Sequence, residues 1–289
     1  MKMTEEIFSE LYSLAKSAAL QAGKAIREFP RKDLKVNKKE GGESLASQVV
    51  TEVDLLSEKE ILSILKPSMS KYDIALLSEE TEDDNSRFEK DFFWCIDPID
   101  GTLPFIEGIP GYSVCIALVS KSGEPVIGII YDPYNDKLYH ALKSHGAYCN
   151  DTAFKVNPAA GKETFYFIND RSIKNYERYH EILSKMTVAS QDLGYTKLQT
   201  ILTGGAAMNT CWMIESSHGC YFKVPRPLNG GGSIWDFAAA ACIVLEAGGV
   251  ASDFYGNKLD LNRRDSTYMN HKGAIFASDK VIADKIMQL

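Results

Sequence analysis

The 289-residue sequence has no long apolar run and no excess of basic residues. No segment reaches the roughly 18 consecutive apolar residues of a membrane-spanning helix. Glu5, Glu6 and Glu10 interrupt the N-terminus where a secretory signal would be apolar. The 39 acidic residues outnumber the 32 basic ones, and the net charge of −7 argues against a basic face for nucleic acid. We therefore expect a cytoplasmic protein that binds neither a membrane nor a nucleic acid polymer.

Cysteine and histidine motifs are also missing. None of the six cysteines belongs to a C-x-x-C pair, and most lie in apolar runs, which predicts reduced, buried thiols. The five histidines have no H-E-x-x-H or other ligand spacing. The sequence thus predicts neither a disulfide framework nor a zinc site.

What the sequence does contain is an ordered change of pattern along the chain. Helical spacing of apolar residues runs from Thr4 to Glu28, a loop is predicted over Arg31–Gly42, and a second helix over Thr51–Leu65 stops before Pro67. Five short apolar or alternating runs then read as strands, several of them joined by hairpins. The five runs are Ile74–Leu77, Phe92–Ile96, Ser113–Val119, Val126–Tyr131 and Lys137–Ala141.

The second half mixes strands and helices. Phe165–Ile168 reads as a strand, and four segments read as helices. These helices are Asn175–Lys185, Ala206–Glu215, Trp235–Ala247 and Asp279–Met287. The order indicates an α+β or layered α/β/α fold, with a weak boundary around Asn157–Lys162.

The most informative stretch is Asp97-Pro98-Ile99-Asp100-Gly101-Thr102, directly after the apolar run Phe92–Ile96. Carboxylates presented by a tight loop at a strand end are typical of a site for a hard cation. Pro98 restrains the backbone, so the Ile99 carbonyl can point inward as a further ligand, and Gly101 permits close approach of a ligand. An Asx-turn with a capping threonine explains the D-x-x-D pattern about equally well.

Three further carboxylate positions stand at element ends. Glu79 follows the run Ile74–Leu77, Asp236 opens an apolar helix, and Asp54 lies at the start of the second helix. Taken singly, each is more typical of a solvated turn or of a helix N-terminus. Together, four such positions can converge on one cleft, where two or three Mg²⁺ ions would hold a phosphate and activate a water.

This set of motifs resembles the inositol monophosphatase family, which comprises lithium-sensitive, magnesium-dependent phosphatases. The family pattern D-P-[IL]-D-G-T-x-x-F matches Asp97–Phe105, and W-D-x-A-[AG] matches Trp235–Ala239. Its G-E-E matches Ser78-Glu79-Glu80, with serine in place of the glycine, and its T-x-x-D matches Thr51–Asp54. The resemblance covers nearly the whole chain in the expected order and implies a layered αβαβα sandwich.

The resemblance also implies roles for individual residues. Glu79, Asp97 and the Ile99 carbonyl would hold a first Mg²⁺, while Asp97, Asp100 and Asp236 would hold a second. Asp54 would assist a third, weaker ion, and Glu79 and Thr102 would position and deprotonate the attacking water.

Further residues are assigned to the substrate. The amides of Gly101 and Thr102 would contact the phosphate. The wall of the site would include Gly204, Gly205, Ala206 and Asp236. Lys223 stands where inositol-specific relatives carry a glutamate, and the insert Val224–Ser233 follows it.

The weak boundary around Asn157–Lys162 and the family resemblance together give the expected organisation. Residues 1–157 would carry the main metal motifs and residues 158–289 the Trp-Asp motif and substrate wall, within one compact catalytic unit. Family members are commonly homodimers. The predicted activity is hydrolysis of a small phosphate ester, best matched by inositol monophosphate or a similar polyol phosphate.

Three alternatives compete with this interpretation. A bisphosphate nucleotidase acting on adenosine 3′,5′-bisphosphate would suit the cation at Lys223, although Leu103-Pro104 replaces the Lys-Glu of those enzymes. A non-catalytic relative that binds a phosphorylated ligand is a lesser alternative. A phospho-aspartate mechanism of the D-x-D-G-T type is disfavoured, because residues i and i+3 of an extended strand do not project to the same side.

Overall fold

A computed structural model describes residues 3–30, 36–38, 49–157 and 161–289. Within these residues lie seven helices: α1 (Glu5–Glu28), α2 (Glu52–Tyr72), α3 (Thr102–Glu107), α4 (Tyr179–Asp192), α5 (Ala206–Ser216), α6 (Ile234–Glu246) and α7 (Lys280–Ile286). Apart from Val36–Lys38, the predicted loop Arg31–Gly42 lies outside the described residues, as do residues 158–160 of the predicted boundary.

The described strands form three sheets. A two-stranded ribbon pairs β1 (Val36–Lys38) with β2 (Val49–Thr51). A seven-stranded sheet follows the chain in order through β3 (Ala75–Ser78), β4 (Phe92–Asp100), β5 (Ser113–Ser120), β6 (Pro125–Asp132), β7 (Lys137–Leu142), β8 (Ala147–Cys149) and β9 (Thr152–Ala153). A five-stranded sheet has the order β11 (Lys197–Ile201), β10 (Thr164–Ile168), β12 (Gly219–Lys223), β14 (Ala274–Ala277) and β13 (Val250–Ser252).

These elements stack as five layers, which confirms the predicted αβαβα sandwich. Helices α1 and α2 cover one face of the seven-stranded sheet, and α6 covers the other face together with α5. Helix α5 also packs on β10 and β12 of the second sheet, whose outer face carries α4 and α7. The central helical layer is therefore shared by both sheets.

The boundaries of two predicted helices were wrong. Helix α2 continues through Pro67 to Tyr72, because its buried face continues past the proline and the Trp94 indole donates to Ser68 Oγ at 3.3 Å. Tertiary packing thus outweighs the backbone hydrogen bond that the proline removes. In the second half, α4 begins only at Tyr179, after a separate 3₁₀ turn over Arg171–Asn175.

The prediction from cysteine usage agrees with the described residues. All six cysteines are free thiols, and five of them are buried. No helix in the described ranges is both long and apolar enough to cross a membrane.

Helix α6 sits unusually close to the seven-stranded sheet at Gly128. A Cβ on Gly128 would lie 2.5 Å from the Ala239 carbonyl oxygen and 2.8 Å from the Cys242 Cβ. Only glycine lets the helix approach β6 to this distance. The contact matters for function because α6 carries Asp236 in its first turn.

We expect Gly128→Ala to lower the free energy of unfolding by about 1–3 kcal/mol, because the added methyl group forces strand and helix apart. Urea denaturation measures this loss. Gly161→Ala is the matched control, since a Cβ there has no atom within 4 Å. Equal stability of the two variants would contradict this account of the packing.

Candidate active site

The main motif lies at an irregular end of β4. The strand was predicted to stop at Ile96, but it pairs with β5 as far as Asp100, opposite Ser113. The register shifts between Asp97 and Asp100, so the regular alternation of side chains is broken there. Consequently the i and i+3 carboxylates can share one site, which a regular strand would not allow. The spacing argument against a phospho-aspartate site therefore does not hold for this strand.

Asp236 joins these two carboxylates from the first turn of α6. Carboxylate oxygens of Asp97, Asp100 and Asp236 lie within 4.8 Å of one another. Asp236 also has the helix N-terminal role that its sequence position indicates. It accepts a hydrogen bond from the Ser233 amide, while the Ser233 side chain caps the helix in return. Asp97 likewise forms an Asx-turn, accepting from the Ile99 amide at 3.0 Å. Turn chemistry thus orients the carboxylates that form the cluster.

The cluster is electrostatically incomplete without a cation. Burial, together with Glu79 and Asp236, raises the pKa of Asp97 well above its usual value. Burial and Asp236 raise the pKa of Asp100 to about 8, against the lowering effect of two backbone amides. Burial also raises the pKa of Asp236. A divalent cation would relieve this repulsion, and carboxylate oxygens are the ligands that Mg²⁺ prefers. The donor set therefore fits the cation that the motifs predict.

Asp100 is held by the start of α5. Its two oxygens accept from the Ala206 amide at 3.0 Å and from the Ala207 amide at 2.8 Å. A Cβ on Gly205 would lie 2.5 Å from Asp100 Oδ2, so the close approach requires glycine. The amide of Ala206, expected at the substrate wall, is thus engaged by a carboxylate of the cluster. Gly204 instead accepts from the Asn209 side chain at 3.1 Å.

The turn after Asp100 is equally constrained. Gly101 has φ = +86°, and a Cβ on it would lie 2.5 Å from the Gly111 carbonyl oxygen. Thr102 opens α3, and its hydroxyl donates to the Ile99 carbonyl at 3.4 Å. The Ile99 carbonyl, predicted as a metal ligand, therefore already accepts one hydrogen bond and keeps a second lone pair.

Glu79 and Asp54 flank the cluster. The Glu79 amide donates to the Ile96 carbonyl at 3.2 Å, which places this residue beside the end of β4. Its charge is one cause of the raised pKa of Asp97. Asp54 is buried on α2, one turn before Ser57, whose hydroxyl donates to the Pro98 carbonyl at 2.8 Å. Both residues thus adjoin the motif. Among the described residues, the carboxylate oxygens that lie close enough together to hold one metal ion belong to Asp97, Asp100 and Asp236.

Lys223 has a partner that the sequence analysis missed. Its ammonium forms an ion pair with Asp170, which also accepts from Asn209 Nδ2 at 3.1 Å and from the Tyr221 hydroxyl at 3.3 Å. The signal was available, because Asp170 follows the strand Phe165–Ile168 just as Asp97 follows its own strand. The lysine assigned to the substrate therefore has its charge balanced by this network.

Comparisons with known proteins agree with this geometry. The family model described as the inositol monophosphatase family matches residues 8–288. Nus factor SuhB of Haemophilus influenzae is 28% identical, with 96% of this chain and 95% of that protein covered. Inositol monophosphatase 1 of Sus scrofa is 28% identical, with coverage of 96% and 93%. The crystal structure of extragenic suppressor protein suhB from Bartonella henselae superposes with a TM-score of 0.74 at 26% identity, covering 96% and 97%.

The fold and site define a metal-dependent phosphatase, a hydrolase of phosphoric monoesters. The chain belongs to the inositol monophosphatase family.

The raised pKa values predict that the metal-free protein loses stability as pH rises. Between about pH 4, where an unfolded aspartate ionises, and pH 8, the folded cluster retains protons that the unfolded chain has released. The free energy of unfolding therefore falls across this window. In EDTA at pH 8, we expect Asp97→Asn to be more stable than the wild type by about 1 kcal/mol or more. At pH 5 the difference should shrink.

Urea denaturation at both pH values measures this difference. Asp192→Asn, on the exposed end of α4, is the control: it keeps the three aspartates, so its stability should differ little from that of the wild type at either pH. With Mg²⁺ present at pH 8, the wild type should gain more stability than Asp97→Asn. A wild type that remains the more stable protein in EDTA at pH 8 would contradict the repulsion argument.

Proposed function

We propose that the protein is a magnesium-dependent phosphomonoesterase acting on a small phosphorylated metabolite, with inositol monophosphate or a similar polyol phosphate as the best match. The observation that carries this proposal is the convergence of Asp97, Asp100 and Asp236 within 4.8 Å, on the motifs shared with the family. The name of the Sus scrofa relative supports an inositol phosphate as substrate.

The residues that would hold Mg²⁺ are Glu79, Asp97, Asp100, Asp236 and the Ile99 carbonyl, with Asp54 beside them for a third ion. When bound, Mg²⁺ supplies Lewis acidity that offsets phosphate charge and lowers the pKa of water. This chemistry requires the carboxylates to be ionised, which the raised pKa values of the metal-free cluster otherwise oppose.

Each remaining role belongs to a residue of the chain. Thr102 and Glu79 position the attacking water, and the Glu79 carboxylate takes its proton. The amides of Gly101 and Thr102 bind the phosphate oxygens at the tight turn before α3. The paired amides at the start of α5 hold the Asp100 carboxylate in place. Positioning and electrostatics then supply most of the rate enhancement, as in other phosphoryl transfers.

Other features of the proposal follow the family. We propose one compact catalytic unit formed by residues 1–157 and 158–289, a homodimer, a cytoplasmic location and sensitivity to lithium. The shared helical layer between the two sheets supports the single catalytic unit.

Two other functions remain as candidates. A bisphosphate nucleotidase is favoured by Arg226, a cation near Lys223 and the cluster that forms no ion pair with the described acidic side chains. A non-catalytic role with a phosphorylated ligand or a protein partner is suggested by the name Nus factor SuhB of the Haemophilus relative. The complete set of predicted metal-site carboxylates favours catalysis, because a pure binding protein has no need of every one of them.

We expect Asp100→Asn to reduce magnesium-dependent phosphate release by about a thousandfold or more, since the variant removes a carboxylate central to the cluster. The assay measures phosphate released from inositol 1-phosphate, adenosine 3′,5′-bisphosphate and fructose 1,6-bisphosphate. Removal of Mg²⁺ with EDTA should abolish the wild-type activity in the same assay.

Asp192→Asn makes the same chemical change far from the site and should retain wild-type turnover. A folded Asp100→Asn protein with unchanged turnover would overturn the mechanism. A wild type that is inactive on all three esters would favour the non-catalytic alternative.

A further inference from the structure

The insert Val224–Ser233 wraps around a single arginine. A Cβ on Gly230 would lie 2.2 Å from Arg226 Nη2, and one on Gly231 would lie 3.2 Å from Arg226 Nε. Gly230, Gly231 and Gly232 have φ values of +116°, +80° and +95°. Only glycine adopts positive φ at three consecutive positions without backbone strain. The triplet is therefore a built turn around the guanidinium.

Arg226 carries an uncompensated charge. Its Nε is buried without a hydrogen-bond partner, and none of the described acidic side chains forms an ion pair with its guanidinium. Its backbone is nevertheless fixed, since the amide donates to the Asn270 carbonyl at 2.9 Å. A buried donor without an acceptor is destabilising. Because the backbone of Arg226 is fixed, its unpaired Nε–H indicates that a hydrogen-bond acceptor from outside the chain binds there.

A cavity of about 470 Å³ opens beside this arginine. Arg226, Arg263, Asn270 and His271 line it with two prolines and Asn229, and none of its lining residues is acidic. Arg263 is neutralised by Asp265, with its Nε at 2.6 Å from the carboxylate. His271 Nδ1 accepts from Arg263 at 2.8 Å, so its other ring nitrogen carries the proton and is a donor. The cavity therefore offers hydrogen-bond donors and one free positive charge.

The same turn connects the cavity with the carboxylate cluster. A Cβ on Gly232 would lie 3.1 Å from Asp236 Oδ2, at the other end of the triplet from the Arg226 contact. Gly230 and Gly232 are two residues apart, so their Cα atoms are separated by no more than about 7 Å. One small molecule can thus place one group at Asp236 and another at Arg226.

We propose that the pocket around Arg226 binds a second phosphate of the substrate, while the phosphate that is cleaved lies at the carboxylate cluster. This assignment rests on the proposed phosphatase activity but departs from its best-matched substrate, because inositol monophosphate has no second phosphate. It favours small metabolites with two phosphates. A guanidinium suits this task because its planar fork of donors matches phosphate oxygens. Lys223 does not fill this role, since Asp170 already balances its charge.

The test compares two esters that differ only in the second phosphate, fructose 1,6-bisphosphate and fructose 1-phosphate. We expect the wild type to have the higher kcat/KM for the bisphosphate. Arg226→Gln should lower kcat/KM for the bisphosphate at least about tenfold, mainly through KM, because a charged hydrogen bond is lost. Its kcat/KM for fructose 1-phosphate should stay within about twofold of the wild type.

Arg226→Lys retains the charge without the fork, so it should recover part of the lost preference. Arg264→Gln, at an exposed neighbouring arginine, makes the same change of charge and should leave both esters unaffected. Equal effects of Arg226→Gln on the two esters, or no effect on either, would overturn the proposal.

Calorimetry separates this proposal from the proposed function. If the wild type hydrolyses neither ester, the phosphatase assignment fails, and binding of fructose 1,6-bisphosphate in Mg²⁺ then decides on the pocket. Binding at least about tenfold tighter by the wild type than by Arg226→Gln would support the site. Equal affinities, or no binding by the wild type, would overturn it.

Discussion

Mutual repulsion among Asp97, Asp100 and Asp236 is the constraint on which the rest of the site depends. Three carboxylates with oxygens within 4.8 Å are costly in a buried setting. The fold tolerates them because each is oriented by a backbone group: Asp97 by its own turn, Asp236 by the cap of α6 and Asp100 by the start of α5. The net charge of −7 thus includes the three carboxylates that favour binding of a cation. A bound cation in turn favours binding of a phosphate.

The five layers serve this arrangement. Strand β4 belongs to the first sheet, while α6 and α5 form the layer between the sheets. A close contact at Gly128 brings α6 to β6, and one at Gly205 brings the start of α5 to Asp100 of β4. Each contact excludes a side chain larger than hydrogen. The same layer continues into the Gly230–Gly232 turn, which places Arg226 beside the site. The same helical layer therefore positions both the catalytic groups and the proposed specificity pocket.

Local patterns predicted much of this molecule. Strands β3 to β7, β10 and the layered fold were readable because period-two and period-3.6 patterns report burial directly. The strands β8, β9 and β11 to β14 were not predicted. Each carboxylate alone matched an ordinary turn or cap. Their convergence was predicted from their shared position at element ends, and the family resemblance then gave each of them a role. Contacts between distant residues, such as the Asp100 bonds to α5, have no local signature. The continuation of α2 through Pro67 was missed for the same reason, because packing decided it.

Diffraction from crystals soaked in Mn²⁺ tests the central claim most directly, because Mn²⁺ accepts the same oxygen ligands and scatters anomalously. The account predicts an anomalous peak bounded by the carboxylates of Asp97, Asp100 and Asp236. That peak should be lost or strongly weakened in Asp97→Asn crystals. Peaks confined to other acidic residues, with none among these three aspartates, would contradict it.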